Sequence, residues 1–298
     1  MPMPARIEGS RGSVGGMRRE RIVHADSLTA RGPPDDPSDT SPGYPLSMGR
    51  EGDAKLERIR GLLLAGTRIG VLLDVDGTLS PIVARPEQAR LQPSARQAVE
   101  ALVPRFALVA VVSGRPTAEA AAMVGVEGVT VLGSYGLGDL PDVPMAVIAA
   151  VEAVAAQIPG ARVERKGGTV AVHVRGAPDP DGAEARLARA LSPIAKEARM
   201  DIARGKRVLE LVPRGRDLKG DAVARTITTS SLDAVMYIGD DIADLGAFSA
   251  LDRAAAAGVL TAKVAARGPE TPEELLLDAD LVVEGPEGVV GLLQFLVV

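Results

Sequence analysis

Four short groups of residues in this sequence have the types and spacing to do chemistry. The first is Asp74-Val75-Asp76-Gly77-Thr78, directly after the apolar run IGVLL. The second is Gly239-Asp240-Asp241-Ile242-Ala243-Asp244, directly after AVMYI. Carboxylates clustered where an apolar strand ends repel one another unless a cation lies among them. An all-oxygen donor set selects a hard cation such as Mg²⁺. Gly77 permits a sharp turn there and leaves backbone N–H groups open to an anion. The third group, Ser113-Gly114-Arg115, closes FALVAVV. A serine hydroxyl at that point can donate to a phosphoryl oxygen, and the start of the following helix favours an anion. The fourth is Lys219 in RDLKGDAV, at a helix start. A cation there opposes the helix dipole, a local misfit of the kind that collects at functional sites. Its charge suits the neutralisation of Asp74 and an incoming anion.

Each group also has an ordinary reading. Ser-Gly is common in turns, Lys219 can be a solvated surface lysine, and Asp244 at a first helical turn is a good cap. The paired aspartates at two strand ends are much harder to explain as turns.

The elements that must position these groups follow from hydrophobic patterning. After a helical stretch over 53–64, RIGVLL, FALVAVV, VTVL and LDAVMYI are nearly all apolar, and helical segments lie between them (94–102, 116–125, 219–228 and onward from Asp244). Apolar strands alternating with helices predict a doubly wound parallel sheet of the α/β class. AAAAGV and LVV read as short final strands of that sheet, and the apolar run 289–298 as a buried terminal segment.

The pattern changes near Pro141. A helix over 144–158 precedes ARVERKGG and TVAVHVR, two alternating strands about a Gly-Gly turn. A second helix, DGAEARLARALSPIAKEA, precedes MDIARG and KRVLELVP. Helix, two strands, helix, two strands predicts an inserted α+β cap with an antiparallel sheet. The expected organisation is a core split over 51–140 and 215–298, with a cap over 141–214. Residues 1–50, including RGPPDDPSDTSPGYP, lack the apolar content to join a core and are expected to form a disordered tail. Met48, just ahead of the first ordered-looking segment, is an alternative start.

Composition excludes several classes. With no cysteine there is no disulfide, thiolate metal site or cysteine nucleophile, and two histidines cannot build a His-based metal cluster. A formal charge of −5 offers nothing to nucleic acid. The first 20 residues hold four arginines and no apolar stretch, so no signal peptide is expected. The terminal apolar run is about half of the roughly 20 residues that span a bilayer. The expected location is cytoplasmic, without a membrane partner; oligomeric state is not encoded in any feature of the sequence.

Two acidic strand ends, a serine and a lysine, in that order, resemble the haloacid dehalogenase superfamily, whose members mostly cleave phosphate esters on a doubly wound core. The resemblance implies that Asp74 attacks phosphorus and that Asp76 works as general acid and base. It implies Mg²⁺ held by Asp74, the Asp76 carbonyl and Asp240, supported by Asp241 or Asp244. Lys219 and Ser113 would be catalytic partners, with Thr78, Gly114 and Arg115 holding the phosphoryl group. DVDGTLSPI, VSGR, GSYG, VERKGGTVAVHVR, VLELVP and GDDIADLGAF together narrow the match. They are similar to the trehalose-6-phosphate phosphatase family, which implies a sugar phosphate substrate and cap contacts from Lys166 and Glu210. Tyr135 stands where that family usually has His, Val212 where it usually has Arg, and Ala243-Asp244-Leu245 where it has Thr-Asp-Glu. These departures spare the phosphoryl groups but leave open another substrate, such as sucrose phosphate or a glycosyl phosphoglycerate. The remaining alternative, a non-catalytic sugar-phosphate-binding protein, is disfavoured by the presence of Asp74, Asp76, Lys219 and Asp240 together.

Overall fold

The computed structural model describes residues 54, 57, 59–61, 63–66, 68–83, 85–136 and 141–297. The expected tail over 1–50 therefore lies outside the described residues, as does Met48. Described positions from 54 to 65 are helical, with Ile59 and Leu63 buried.

Six parallel strands form the first sheet: β1 (Ile69–Leu73), β2 (Leu108–Val112), β3 (Thr130–Leu132), β8 (Ala234–Gly239), β9 (Leu260–Arg267) and β10 (Leu281–Glu284). Their order is β10-β9-β8-β1-β2-β3. The continuous apolar runs arise because both faces are covered. Val71 and Leu73 of β1 pack on one side with α1 (Pro93–Leu102) and α8 (Gly285–Val297). Leu72 packs on the other with α5 (Leu218–Thr229) and α6 (Asp244–Ala256). The terminal apolar run thus forms α8, with Val289, Leu292, Leu293, Phe295 and Leu296 buried. The remaining helices are α2 (Thr117–Val124), α3 (Met145–Ala155), α4 (Pro180–Ala198) and the short α7 (Glu273–Asp278).

One expected strand is corrected. AAAAGV is not a strand: its alanines finish α6, which ends at Ala256, and β9 begins at Leu260. Alanine is the best helix former, and here it prolongs a helix already packed on the sheet. The true strand, LTAKVAAR, pairs with β8 from Leu260 to Ala265.

The second sheet is antiparallel, in the order β4-β5-β7-β6. It comprises β4 (Arg162–Arg165), β5 (Val170–His173), β6 (Met200–Gly205) and β7 (Val208–Pro213). Its period-2 alternation has a clear purpose. Val170, Val172, Leu209 and Leu211 pack with Ile148 and Val151 of α3 and Leu187 and Leu191 of α4. On the opposite face, Ala171 pairs with Glu210 and with Glu164, and His173 with Arg162 and Val208. That face is the polar one, and it looks toward the carboxyl ends of the parallel strands across a shared cavity. The fold is a doubly wound α/β sheet with an added antiparallel cap.

Candidate active site

Strand order brings the two acidic groups together. Chain direction reverses its progress across the sheet between β1 and β8, and such switch points open a crevice beyond the carboxyl ends of the strands. Leu73 pairs with Ile238, and Asp74 N–H donates to the Ile238 carbonyl at 2.9 Å. Asp74 and Asp240 therefore leave adjacent strands almost level. Ser113 leaves β2 on the other side of β1, pinned by its N–H to the Leu132 carbonyl (3.0 Å).

The floor of the crevice is an alternation of charges. Lys219 Nζ lies 2.9 Å from an Asp74 oxygen and 2.6 Å from Asp244 Oδ1, and all three side chains are buried. The helix start that would repel a lysine is capped by Asp217, which accepts from Gly220 N–H at 3.0 Å. Burial works against the Lys219 charge, but Asp244 and Asp74 outweigh it and hold its pKa well above the ordinary lysine range. Burial also pushes the Asp74 carboxyl up to about 7, against the pull of Lys219 and with added repulsion from Asp244.

Asp244 is fully engaged by the protein. Oδ1 accepts from Lys219 and from the Tyr237 hydroxyl (2.6 Å each), and Oδ2 accepts from the N–H groups of Asp240 and Asp241 (2.8 Å each). It organises the loop after β8 and aims Lys219. Asp240, by contrast, accepts from the Thr78 hydroxyl at 3.2 Å and meets the ammonium of Lys206. Asp241 lines the cavity; one oxygen accepts from the N–H of Ile242, and burial raises its pKa.

The residues present fit a divalent cation. Oxygens of Asp74, Asp240 and Asp244 lie within 4.8 Å of one another, and since those of Asp244 already accept from protein donors, Asp74 and Asp240 are left to meet a cation. The Lys206 ammonium on Asp240 stands in for the positive charge such a group of carboxylates requires. Gly77 completes the cradle. It adopts φ +95°, and a Cβ there would fall 1.8 Å from Asp240 Oδ2. Gly77→Ala is thus expected to weaken Mg²⁺ affinity and to lower the melting temperature by about 2–8 °C. That figure combines roughly 1–2 kcal/mol of left-handed strain with about 2–4 °C per kcal/mol for a chain of this size. Melting curves with and without Mg²⁺ check both parts; an unchanged Mg²⁺-induced shift would show that the glycine serves the turn alone.

Asp76 is held differently. Arg115 grips it in a fork, Nε to Oδ2 at 2.6 Å and Nη2 to Oδ1 at 2.8 Å, while its third nitrogen meets Glu119. Desolvation would weaken the Arg115 charge, but Asp76 and Glu119 more than compensate and raise its pKa. Ser113 accepts from Arg115 N–H at 3.2 Å, which leaves its own O–H to donate.

A cavity of about 310 Å³ covers this floor, and Asp74, Asp76, Ser113, Gly114, Arg115, Lys219 and Asp241 line its lower side. Lys166 lines the upper side. Glu210 sits behind it, buried, taking Lys166 Nζ at 3.4 Å and the Thr169 hydroxyl, and it does not line the cavity. Thr78 is likewise buried beneath the floor rather than facing the cavity. Sequence reasoning passed over Lys206; Glu164, His173 and Arg175, which also line the cavity, stood in the sequence only within the family-like stretch VERKGGTVAVHVR. Glu164 accepts or shares a proton with His173 Nε2 at 2.7 Å; burial would raise its pKa, yet His173 and Lys166 hold it below the ordinary range. Lys206 sits at the tip of the β6–β7 hairpin, beside Arg207 with φ +62°. A two-residue break between alternating strands marks such a tip in sequence, but nothing local says that it reaches a carboxylate on the other sheet.

The trehalose-phosphatase family model matches residues 72–138 and 142–275, which contain every group just described. The chain belongs to the trehalose-phosphatase family. It is 36% identical over 211 residues to an uncharacterized glycosyl hydrolase of Mycobacterium tuberculosis, covering 63% of this chain and 16% of that protein. It is 32% identical over 241 residues to a probable trehalose-phosphate phosphatase of Oryza sativa subsp. japonica, covering 66% of this chain and 64% of that one. The chain thus spans less than two thirds of either relative. In structure it is similar to the C-terminal domain of the Candida albicans trehalose-6-phosphate phosphatase, with a TM-score of 0.70, 20% identity, and 81% and 96% of the two chains covered. As a trehalose-phosphatase family fold, the chain carries its metal-suited carboxylates at the switch point. Among the described residues no helix is long and apolar enough to cross a membrane.

Proposed function

We propose that this protein is a Mg²⁺-dependent phosphatase that hydrolyses trehalose 6-phosphate through an aspartyl-phosphate on Asp74. One observation carries the reading: Asp74, Asp76, Ser113 and Lys219 line the same side of one cavity, facing the polar cap residues Lys166, His173 and Arg175. Family membership, and trehalose-phosphate phosphatases among the relatives, support the sugar phosphate. We read the chain as a core over 51–140 and 215–298 with a cap over 141–214.

Asp74 Oδ attacks phosphorus and the ester oxygen departs with a proton from Asp76. Water then attacks the aspartyl-phosphate, gives its proton to Asp76, and phosphate leaves with Asp74 restored. Arg115 orients Asp76 for both transfers. Ser113 and Lys219 offset the repulsion between an anionic nucleophile and an anionic phosphate. Asp74, Asp240 and Asp241, with the Asp76 carbonyl, would hold Mg²⁺; Asp244, whose oxygens are taken, positions Lys219 instead. When bound, the cation supplies Lewis-acid neutralisation of the phosphoryl oxygens.

Phosphate release across trehalose 6-phosphate, sucrose phosphate, a glycosyl phosphoglycerate and p-nitrophenyl phosphate tests the substrate. The expected result is the highest kcat/KM on trehalose 6-phosphate, loss of all turnover in excess chelator, and recovery with Mg²⁺. Full turnover after removal of metal would sink the mechanism. Preference for another sugar phosphate would replace the substrate alone.

A further inference from the structure

The turn after β3 carries none of the groups used so far, yet the chain holds it in a costly conformation. Ser134 (φ 47°, ψ 36°) and Tyr135 (φ 56°, ψ 31°) are consecutive left-handed residues. For residues with a Cβ each costs about 1–2 kcal/mol, and such strain collects where a site needs it. The surroundings enforce it. Ser134 N–H donates to the Arg115 carbonyl (2.6 Å) and Tyr135 N–H to the Ser113 carbonyl (2.9 Å). Gly133 lies so close to Thr117 that a Cβ would fall 2.3 Å from its backbone, and Arg225 holds the Gly136 carbonyl at 3.1 Å.

What this turn delivers is one side chain. The Tyr135 ring packs on Val212 and Leu218. Its hydroxyl lies over Gly114, where an added Cβ would come within 2.5 Å of it. The phenol lines the cavity, with Glu210 on the cap side and Lys219, Asp74 and Asp241 on the other. The hydroxyl of Tyr237 is spent on Asp244, whereas that of Tyr135 has no hydrogen-bond partner among the described residues. No buried polar atom of those residues lacks a partner, so this hydroxyl is one that the cavity contents can reach. Burial and the carboxylates around it keep the phenol protonated, hence a donor.

We propose that Tyr135 is a specificity-determining residue, donating a hydrogen bond to a sugar oxygen next to the phosphoester. The proposal rests on the sugar phosphatase reading and deepens it. The phenol lies between the nucleophile and the cap, where the phosphoryl group joins the sugar. Among the described core donors that line the cavity, Ser113 and Lys219 suit the phosphoryl group and Arg115 is held on Asp76 and Glu119, which leaves the Tyr135 hydroxyl for a sugar hydroxyl or ring oxygen. The strained turn and the bare Gly114 exist to admit the phenol there.

The test is Tyr135→Phe in the full chain, which keeps the ring on Val212 and Leu218 and should leave the melting curve unchanged. For the sugar phosphate that the wild type prefers, kcat/KM is expected to fall about 2–10-fold, the size of one neutral hydrogen bond. Hydrolysis of p-nitrophenyl phosphate should stay within twofold, and competitive inhibition by the free sugar should weaken by the same factor as kcat/KM. Equal losses on both esters would mean that the hydroxyl serves phosphoryl transfer, and would overturn the proposal; so would no loss on either. A wild type inert toward every sugar phosphate but active on the artificial ester would instead remove the sugar reading itself.

Discussion

With Asp74 as the proposed nucleophile, Asp74→Asn is expected to abolish turnover and to leave the fold standing. The amide has the shape of the carboxylate but no charge with which to attack phosphorus, and loss of a covalent nucleophile costs on the order of 10⁴–10⁶-fold. The stability side has a definite sign. Burial raises the Asp74 pKa to about 7, so the fold favours the protonated carboxyl over the carboxylate. A group of this kind supports the fold below its unfolded pKa, and that support is lost as pH rises through the folded value. Above pH 7 in the absence of metal, the ionised carboxylate weighs against folding, and a neutral amide removes that cost. Melting of Asp74→Asn at pH 8 in chelator is therefore expected to be no lower than wild type. Lys219 keeps its second partner, Asp244, at 2.6 Å. Turnover within tenfold of wild type would defeat the covalent route, whatever the melting curve does.

Lys219→Met is expected to damage stability as well as activity. The methionine fills the space of the stem but leaves Asp74 and Asp244 facing each other, both buried, with no cation between them. Removing one partner of a buried charge set costs about 3–5 kcal/mol. For a chain of this size that is a drop of roughly 10 °C in melting temperature. Adding Mg²⁺ should return part of it, since a divalent cation supplies charge to Asp74. The double variant Lys219→Met/Asp244→Asn should also melt higher than the single one, because the second change removes a carboxylate that the first left uncompensated. A single variant that melts like wild type would mean that the lysine is dispensable to the packed floor and acts on substrate alone.

The sequence by itself determined the class of fold and the chemistry of the floor. Apolar runs with no polar alternation require cover on both faces, and only a parallel sheet between helices provides it; IGVLL is buried at all five positions. Carboxylates at two such strand ends repel each other unless a cation lies between them, which marked Asp74 and Asp240 as candidate ligands in the sequence. The alternation in VAVH and VLELVP likewise announced a one-sided sheet. Sequence misread AAAAGV because alanine sits equally well in a short buried run and in a helix, and contact with the sheet decided between them. The partition of roles among neighbours was also beyond it. Asp241 and Asp244 look alike in GDDIAD, yet the first lines the cavity while every oxygen of the second is taken by protein donors. Arg115 and Thr78, expected on the phosphoryl group, hold Asp76 and Asp240. Glu210, expected on sugar, lies one layer behind Lys166. Lys206 was invisible, for its partner is 34 residues away on another sheet. Residue type and strand position fix which groups arrive at an edge. Only packing between the two sheets fixes which of them meet each other and which are left to meet a substrate.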